Sequence, residues 1–298
     1  MRIAFLGLGK MGLPIAKLLL RSNPDLVIWN RTPGRTAELI AEGATLAESL
    51  EGAVKEADVV FTMLNDDQSM ESVVFGGDAS PGFLSAMRTG AIHVSLSTIS
   101  VKLSQRLAAE HNRSQSEFVA APVFGRPNVA AEGKLWIVVA GREESVARVR
   151  PLLESISRGL TIVSEEPWRA HALKIGGNFL ITAMIESLSE ALVFAGAQGI
   201  DPETFLESVN SALFRSPLYE AYGKVMLNPP DKPGATIGLG AKDMNLFRHA
   251  AQSAGVQTPL ADRFAANLAK AAEAGLKERD WAAGLYELAK NSNTQTQK

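Results

Sequence analysis

MRIAFLGLGKMGLPIA, residues Met1 to Ala16, decides how the rest of the chain is read. Arg2 to Leu6 is a short apolar run of the kind that forms a buried parallel strand. It leads straight into Gly7-Leu8-Gly9-Lys10-Met11-Gly12, a GxGxxG spacing, and then into the helix-like Leu13 to Leu20. Strand, glycine turn and helix in that order make the spacing a dinucleotide signature rather than a chance run of glycines. Gly7 permits the tight turn, Gly9 lets the backbone approach a pyrophosphate, and Gly12 lets the helix pack close to the strand. The pyrophosphate then sits on the helix N-terminus, where N–H groups and the macrodipole favour an anion. The competing reading is a tight strand-to-helix turn with no ligand.

The 298 residues are enough for two domains. Hydrophobic residues at 46% and charged residues at 21% are ordinary for a soluble globular chain. A net charge of −2 gives no electrostatic footprint for nucleic acid or an acidic membrane. With no cysteine, disulfides, thiolate chemistry and cysteine-based metal sites are excluded. His93, His111, His171 and His249 are scattered without ligand spacing, so no metal is expected. No apolar run is read as approaching membrane-spanning length, no leader is read at the N-terminus, and the expected location is cytoplasmic.

The second strand, Leu26 to Trp29, ends in Asn30-Arg31-Thr32. Dinucleotide folds place an Asp or Glu here to hold the adenine ribose 2′-hydroxyl. A neutral Asn30 followed by Arg31 and Thr32, with Arg35 one turn on, suits a 2′-phosphate instead, which predicts NADP(H) over NAD(H). The plainer alternative is that this segment caps the next helix.

Further strands read at Ala57–Leu64, Ala91–Ser95, Phe118–Ala120, Leu135–Ala140 and Leu160–Val163, with a helix at Glu143–Ser155 between the last two. Met63 and Leu64 close one strand. Asp66 and Asp67 after them read as helix caps rather than a catalytic pair. In Leu96-Ser97-Thr98-Ile99-Ser100, Ser100 is a natural N-cap, whereas Ser97 and Thr98 have no evident structural task. Residues 121–134, APVFGRPNVAAEGK, read as a loop.

Beyond Ser164 the pattern turns helical. Ser164-Glu165-Glu166-Pro167 opens a helix expected to reach Gly196 or Gly199, roughly 45–50 Å at 1.5 Å per residue. Its middle is apolar on most faces and should be buried on most sides, partly against another subunit. Asp201-Pro202, Ser216-Pro217 and Thr258-Pro259 repeat the start signal, and Gly255 and Gly275 read as stops. The expectation is an α/β Rossmann-type domain over 1–163, an all-α domain built on a long central helix over 164–290, and a disordered tail over 291–298. Within the long helix His171, Lys174 and Asn178 share one stripe. Gly176 and Gly177 between them cost the helix about 1–2 kcal/mol together, which suggests a close approach by a ligand or a backbone. The alternative is that Lys174 reaches solvent and Asn178 is a satisfied core amide.

Taken together, GLGKMGLPIA, Leu96 to Ser100, Ala121-Pro122-Val123, Lys174 with Asn178, and Lys242-Asp243-Met244 resemble the β-hydroxyacid dehydrogenases of the 3-hydroxyisobutyrate dehydrogenase type, which include tartronate semialdehyde and glyoxylate/succinic semialdehyde reductases. The likeness runs nearly the full length. It implies hydride transfer between a nicotinamide and a small aldehyde or keto acid, with Lys174 as general acid and base and Asn178 orienting the substrate. It also implies that Met63, Leu64, Thr98 and Lys242 contact the dinucleotide and that Asp243 fixes that end of the site. Ser97 and the loop Phe124-Gly125-Arg126 fall where substrate is bound, and dimers or tetramers form through the helical domain. Desolvation of Lys174 is expected to lower its pKa toward the working range.

One departure from the family pattern bears on substrate. Where relatives carry Val-Ser-Gly-Gly, this chain has Val123-Phe124-Gly125-Arg126. Either the pocket takes a bulkier or less polar compound, or Arg126 holds an anion in place of the serine; a surface charge is the plain alternative for Arg126. Two other functions compete: imine reduction, argued against by a lysine at 174, and a catalytically silent dinucleotide-binding scaffold.

Overall fold

The computed structural model describes residues 1–32, 34–77 and 80–294. Its chain divides into two compact units, Met1–Lys174 and Ile175–Lys298.

The first unit is a three-layer α/β structure. In chain order its strands are β1 (Ile3–Leu6), β2 (Leu26–Trp29), β3 (Thr45–Leu46), β4 (Val59–Thr62), β5 (Gly76–Gly77), β6 (Ser80–Pro81), β7 (Ile92–Ser95), β8 (Glu117–Ala120), β9 (Val123–Phe124), β10 (Leu135–Ala140) and β11 (Ser157–Ser164). All but the β5–β6 ribbon join one sheet, ordered β11-β10-β8-β7-β4-β1-β2-β3, with β9 paired to β10. From β3 to β8 every pairing is parallel, and β10 turns antiparallel to β8. Alternation sorts the strands onto two cores. Ile3, Phe5, Val59, Phe61, Ile92 and Val94 face α1 (Gly12–Ser22) and the helix over Glu143–Ser155, whereas Ala4, Leu6 and Val60 face the opposite cluster. That second cluster takes in side chains of α3 (Leu50–Val54), α4 (Asp67–Val74) and α5 (Val101–Arg113); α2 (Ala37–Ala41) adds Leu39 to the first.

Residues 121–134, expected as loop, hold β9 and a short helix α6 (Pro127–Ala131). Pro127 stands at the first helical turn, where its fixed φ starts a helix and its missing N–H costs nothing. The expected helix α7 (Glu143–Ser155) is present as read, with Glu143 and Glu144 in its first turn.

The helix α8 (Trp168–Ala197) has 30 residues, about 45 Å. By length and composition it is long and apolar enough to cross a membrane, contrary to the expectation. A core helix covered on most sides is apolar all round, and this is the same pattern a spanning helix shows. Ile185, Leu188 and Leu192 pack into the core of the second unit, while Lys174, Asn178, Thr182, Glu186 and Ser189 are buried polar residues along the same helix.

The second unit continues with α9 (Pro202–Val209), α10 (Pro217–Leu227), α11 (Ile237–Ser253), α12 (Pro259–Ala271) and α13 (Trp281–Thr294). Asp201 and Ser216 cap α9 and α10 by accepting from Thr204 and Tyr219 N–H groups, as the sequence signals predict. Thr258 precedes α12 without a side-chain cap. The expected tail starts helical: α13 runs to Thr294, its last turns carried by the helix already packed upstream, with Ser292 Oγ donating to Leu288 O. Residues 295–298 lie outside the described residues.

Candidate active site

The sheet register places the sequence-predicted segments of the first unit on one edge. Leu6 pairs with Trp29 and with Thr62, Thr62 with Ser95, and Ser95 with Ala120. The next residues along each strand are therefore Gly7, Asn30, Met63, Leu96 and Ala121, side by side at the carboxyl ends. The order β3-β2-β1-β4-β7 reverses direction between β1 and β4, and open α/β sheets bind ligands at that switch point.

Gly7 has φ +100, and a Cβ there would stand 2.5 Å from Met63 O and 2.8 Å from Leu64 Cδ2. A Cβ on Gly12 would collide with Gly7 O. Gly9 is different, because a Cβ there would meet nothing within 4 Å. Two glycines thus serve the turn, and the third opens space above the start of α1. Among the described residues no side chain caps that helix start, where Met11 is the N-cap. Open space over uncapped N–H groups fits a dinucleotide pyrophosphate.

Asn30 is a brace rather than a cap for α2, whose N-cap is Thr36. Its Oδ1 accepts from Leu8 N–H at 2.9 Å and its Nδ2 donates to Thr32 O at 2.8 Å. That leaves Arg31 and Thr32 exposed at the sheet edge, together with Arg35 and the exposed Lys10.

Ser97 has the structural task the sequence did not reveal. It is fully buried, and its Oγ accepts from Leu64 N–H at 2.8 Å, tying the loops after β4 and β7 together. Thr98 beside it is half-buried. Asp66 caps α4 through Ser69 N–H as read, whereas Asp67, expected as a second cap of that helix, instead accepts from Ser100 N–H at 2.9 Å and ties the start of α4 to the start of α5. Ser100 caps α5 through Leu103 N–H.

Lys174 is 7% exposed, so the reading in which it reaches solvent fails. Its Nζ stands 3.9 Å from the centroid of the Phe124 ring. His171, one turn earlier, is fully buried with Nδ1 2.9 Å from Ser104 Oγ. Arg126 is only half-exposed and its Nη1 is shielded from solvent, so it is not a plain surface charge. A Cβ on Gly176 would meet nothing within 4 Å, so no neighbouring backbone requires that glycine.

In the second unit Asn178 is 5% exposed and donates its Nδ2 to Asp243 Oδ2 at 2.6 Å. Lys242 Nζ lies 2.9 Å from Asp243 Oδ1. The buried carboxylate therefore fixes the amide, leaving Oδ1 as the acceptor end of Asn178.

Sequence reasoning missed a chain of buried side chains behind the sheet edge. Thr62 Oγ1, His93 Nε2 and Nδ1, His111 Nε2 and Nδ1, and Ser116 Oγ are linked at 2.9 Å per step. Ser116 donates to His111 O at 3.3 Å, so the chain is satisfied with both imidazoles neutral and protonated on Nδ1. Burial pushes His93 well below its usual pKa, helped by the neighbouring histidines, and burial lowers His111 to about 3. Residues 31 and 18 positions apart carry no local signal of such contact. Among the described residues no group of three or more His, Cys, Asp or Glu is placed to hold a metal.

Two family models cover the chain: the NAD binding domain of 6-phosphogluconate dehydrogenase over residues 2–164, and the NAD-binding domain of NADP-dependent 3-hydroxyisobutyrate dehydrogenase over 169–288. An uncharacterized oxidoreductase YfjR of Bacillus subtilis is 42% identical over 95% of this chain and 98% of its own. The 2-hydroxy-3-oxopropionate reductase of Escherichia coli is 32% identical over 87% of each chain. A solved structure of Psf3 in complex with NADP+ and 2-OPP superposes with a TM-score of 0.86, at 26% identity, over 96% of this chain and 99% of that one. Fold, glycine edge and relatives define an NAD(P)-dependent oxidoreductase. The chain belongs to the β-hydroxyacid dehydrogenase family.

Proposed function

We propose that this chain is an NADP(H)-dependent reductase that interconverts a small aldehyde or keto acid, of the semialdehyde type, with its hydroxy acid. The observation that carries the reading is Lys174, a buried lysine on α8 one turn from Asn178, whose amide Asp243 holds. When bound, the nicotinamide supplies the hydride to the carbonyl carbon and accepts it in reverse. The chain's own part is the proton. Lys174 Nζ donates it to the oxygen that gains charge, and the neutral amine takes it back in the oxidative direction. Asn178 holds that oxygen and the lysine in register. Gly7 to Gly12 take the pyrophosphate, Met63, Leu64 and Thr98 line the dinucleotide site at the strand ends, and Lys242 adds a cofactor contact. Arg31 and Thr32 select the 2′-phosphate, since an exposed guanidinium pairs with it and no carboxylate stands at residue 30.

In this reading residues 1–163 serve the cofactor and 164–290 serve substrate and self-association. Leu173, Leu180, Ser187 and Phe194 form an exposed row at seven-residue spacing on α8, a seam suited to a second copy, so the working unit is a homodimer or a tetramer in the cytoplasm. The test is NADPH oxidation at 340 nm, with NADH in parallel, against glyoxylate, succinic, tartronate and methylmalonate semialdehydes, uncharged aldehydes and a cyclic imine. Turnover of a semialdehyde acid with NADPH is expected. Turnover of the imine alone, or a preference for NADH, contradicts the corresponding part of the reading.

A further inference from the structure

Phe124 stands where the family pattern has a small hydroxyl donor, and the fold holds it firmly. It lies on β9, paired antiparallel with β10 so that Phe124 faces Trp136 and Val123 faces Ile137. Val138 N–H donates to Pro122 O at 3.0 Å just before it. Gly125 follows at φ +145, where a Cβ would stand 2.5 Å from Leu135 Cδ2, so the chain turns away at once and the ring position is set by backbone. The ring packs against the core face that also receives Ala170 of α8. Onto it comes Lys174 Nζ, 3.9 Å from the ring centroid, well inside the range in which the π face attracts an ammonium.

We propose that Phe124 is a positioning residue that seats the Lys174 ammonium on its ring face, so that this site is poised to donate a proton to a substrate oxygen. The proposal rests on the reading of Lys174 as the general acid. Burial acts on a lysine in the opposite sense, favouring the neutral amine. The ring offsets that by attracting only the charged form, and it restricts Nζ to one place along a flexible stem. A phenyl ring offers no O–H or N–H. The side chain at position 124 therefore gives a substrate carboxylate no hydrogen-bond donor, and its contribution goes to the proton donor instead.

The experiment compares wild type with Phe124→Leu, which keeps apolar bulk without a π face, and Phe124→Tyr, which keeps the face. Two readouts are taken on the intact protein. One is the pH profile of kcat/KM for NADPH-dependent reduction. The other is the titration of Lys174 followed by NMR of lysine labelled with 13C at the ε-carbon, its signal identified by its absence in Lys174→Met. In wild type the ε-CH2 protons are expected upfield-shifted by the ring. In Phe124→Leu that shift disappears, and both the titration and the alkaline limb of the profile move down by about one pH unit. Phe124→Tyr restores both. Absence of the upfield shift in wild type, or a Phe124→Leu profile and titration that coincide with wild type, overturns the proposal. Should Phe124→Leu fail to fold, the wild-type ring shift and the Tyr variant still decide it. If wild type reduces no carbonyl compound, or Lys174→Met reduces as fast, the functional reading fails, whatever the ring does to the lysine titration.

Discussion

At the scale of single residues, the account turns on what each side chain near the sheet edge is committed to. Asn30 braces Leu8 and Thr32, which in the proposed NADP(H) reading leaves Arg31 to meet the 2′-phosphate. Replacing Arg31 by Ala is expected to raise KM for NADPH by roughly 10–100-fold, the worth of a charge-assisted bond of about 1.5–3 kcal/mol, and to leave KM for NADH nearly unchanged. Equal effects on both cofactors in initial-rate measurements would remove Arg31 from the selection. The glycines, Asp66 and Ser100 were legible in sequence because their tasks are local: a turn, a cap, a spacing within a few residues. Ser97 and Phe124 were not, because their partners Leu64 and Lys174 lie 33 and 50 positions away, brought close by the sheet register in the first case and by the placement of the start of α8 in the second.

At the scale of elements, α8 carries the strongest contrast between pattern and packing. Its apolar middle, its start after Pro167 and its reach to Ala197 follow from the sequence. What periodicity left open was whether the polar residues within it are buried, and Lys174, Asn178 and Glu186 all are. Gly176 supplies a test. With open space where its Cβ would be, Gly176→Ala should raise stability by about 0.5–1 kcal/mol, read as a higher Tm of the ligand-free protein. If that space belongs to a ligand, the same variant raises KM for substrate or cofactor. A stabilised variant with unchanged KM would show that the glycine serves no ligand. The loop over 121–134 was misread for a related reason. Gly and Pro mark chain reversals, yet two residues of strand and five of helix fit between them once β10 is available to pair with.

At the scale of the whole molecule, buried ionisable groups set the pH range of stability from both sides. His93 and His111 have folded pKa values below the unfolded one, so the unfolded chain binds more protons, and stability is lost as pH falls from about 6.5 toward 3. Glu186 acts in the other sense. Burial raises its pKa to about 7, with Glu190 adding to the rise, while Asn267 Nδ2 donates to Oε2 at 3.0 Å and pulls the value back. The folded form then holds the proton longer than the unfolded one, so stability falls as pH rises from about 4.5 to 7. Glu186→Gln should therefore stabilise at pH 8 by on the order of 1–3 kcal/mol and have little effect at pH 4, measured by denaturant unfolding at both pH values. An equal effect at the two pH values would contradict the buried-carboxylate account. The central claim, that Lys174 transfers the proton in an NADPH-dependent carbonyl reduction, is tested most directly by one comparison. Wild type and Lys174→Met are assayed for NADPH oxidation on the best semialdehyde, with NADPH binding followed by its fluorescence. The account predicts intact NADPH binding and a kcat lower by roughly 10²–10⁴-fold in the variant. Turnover near the wild-type rate with NADPH still bound would contradict it.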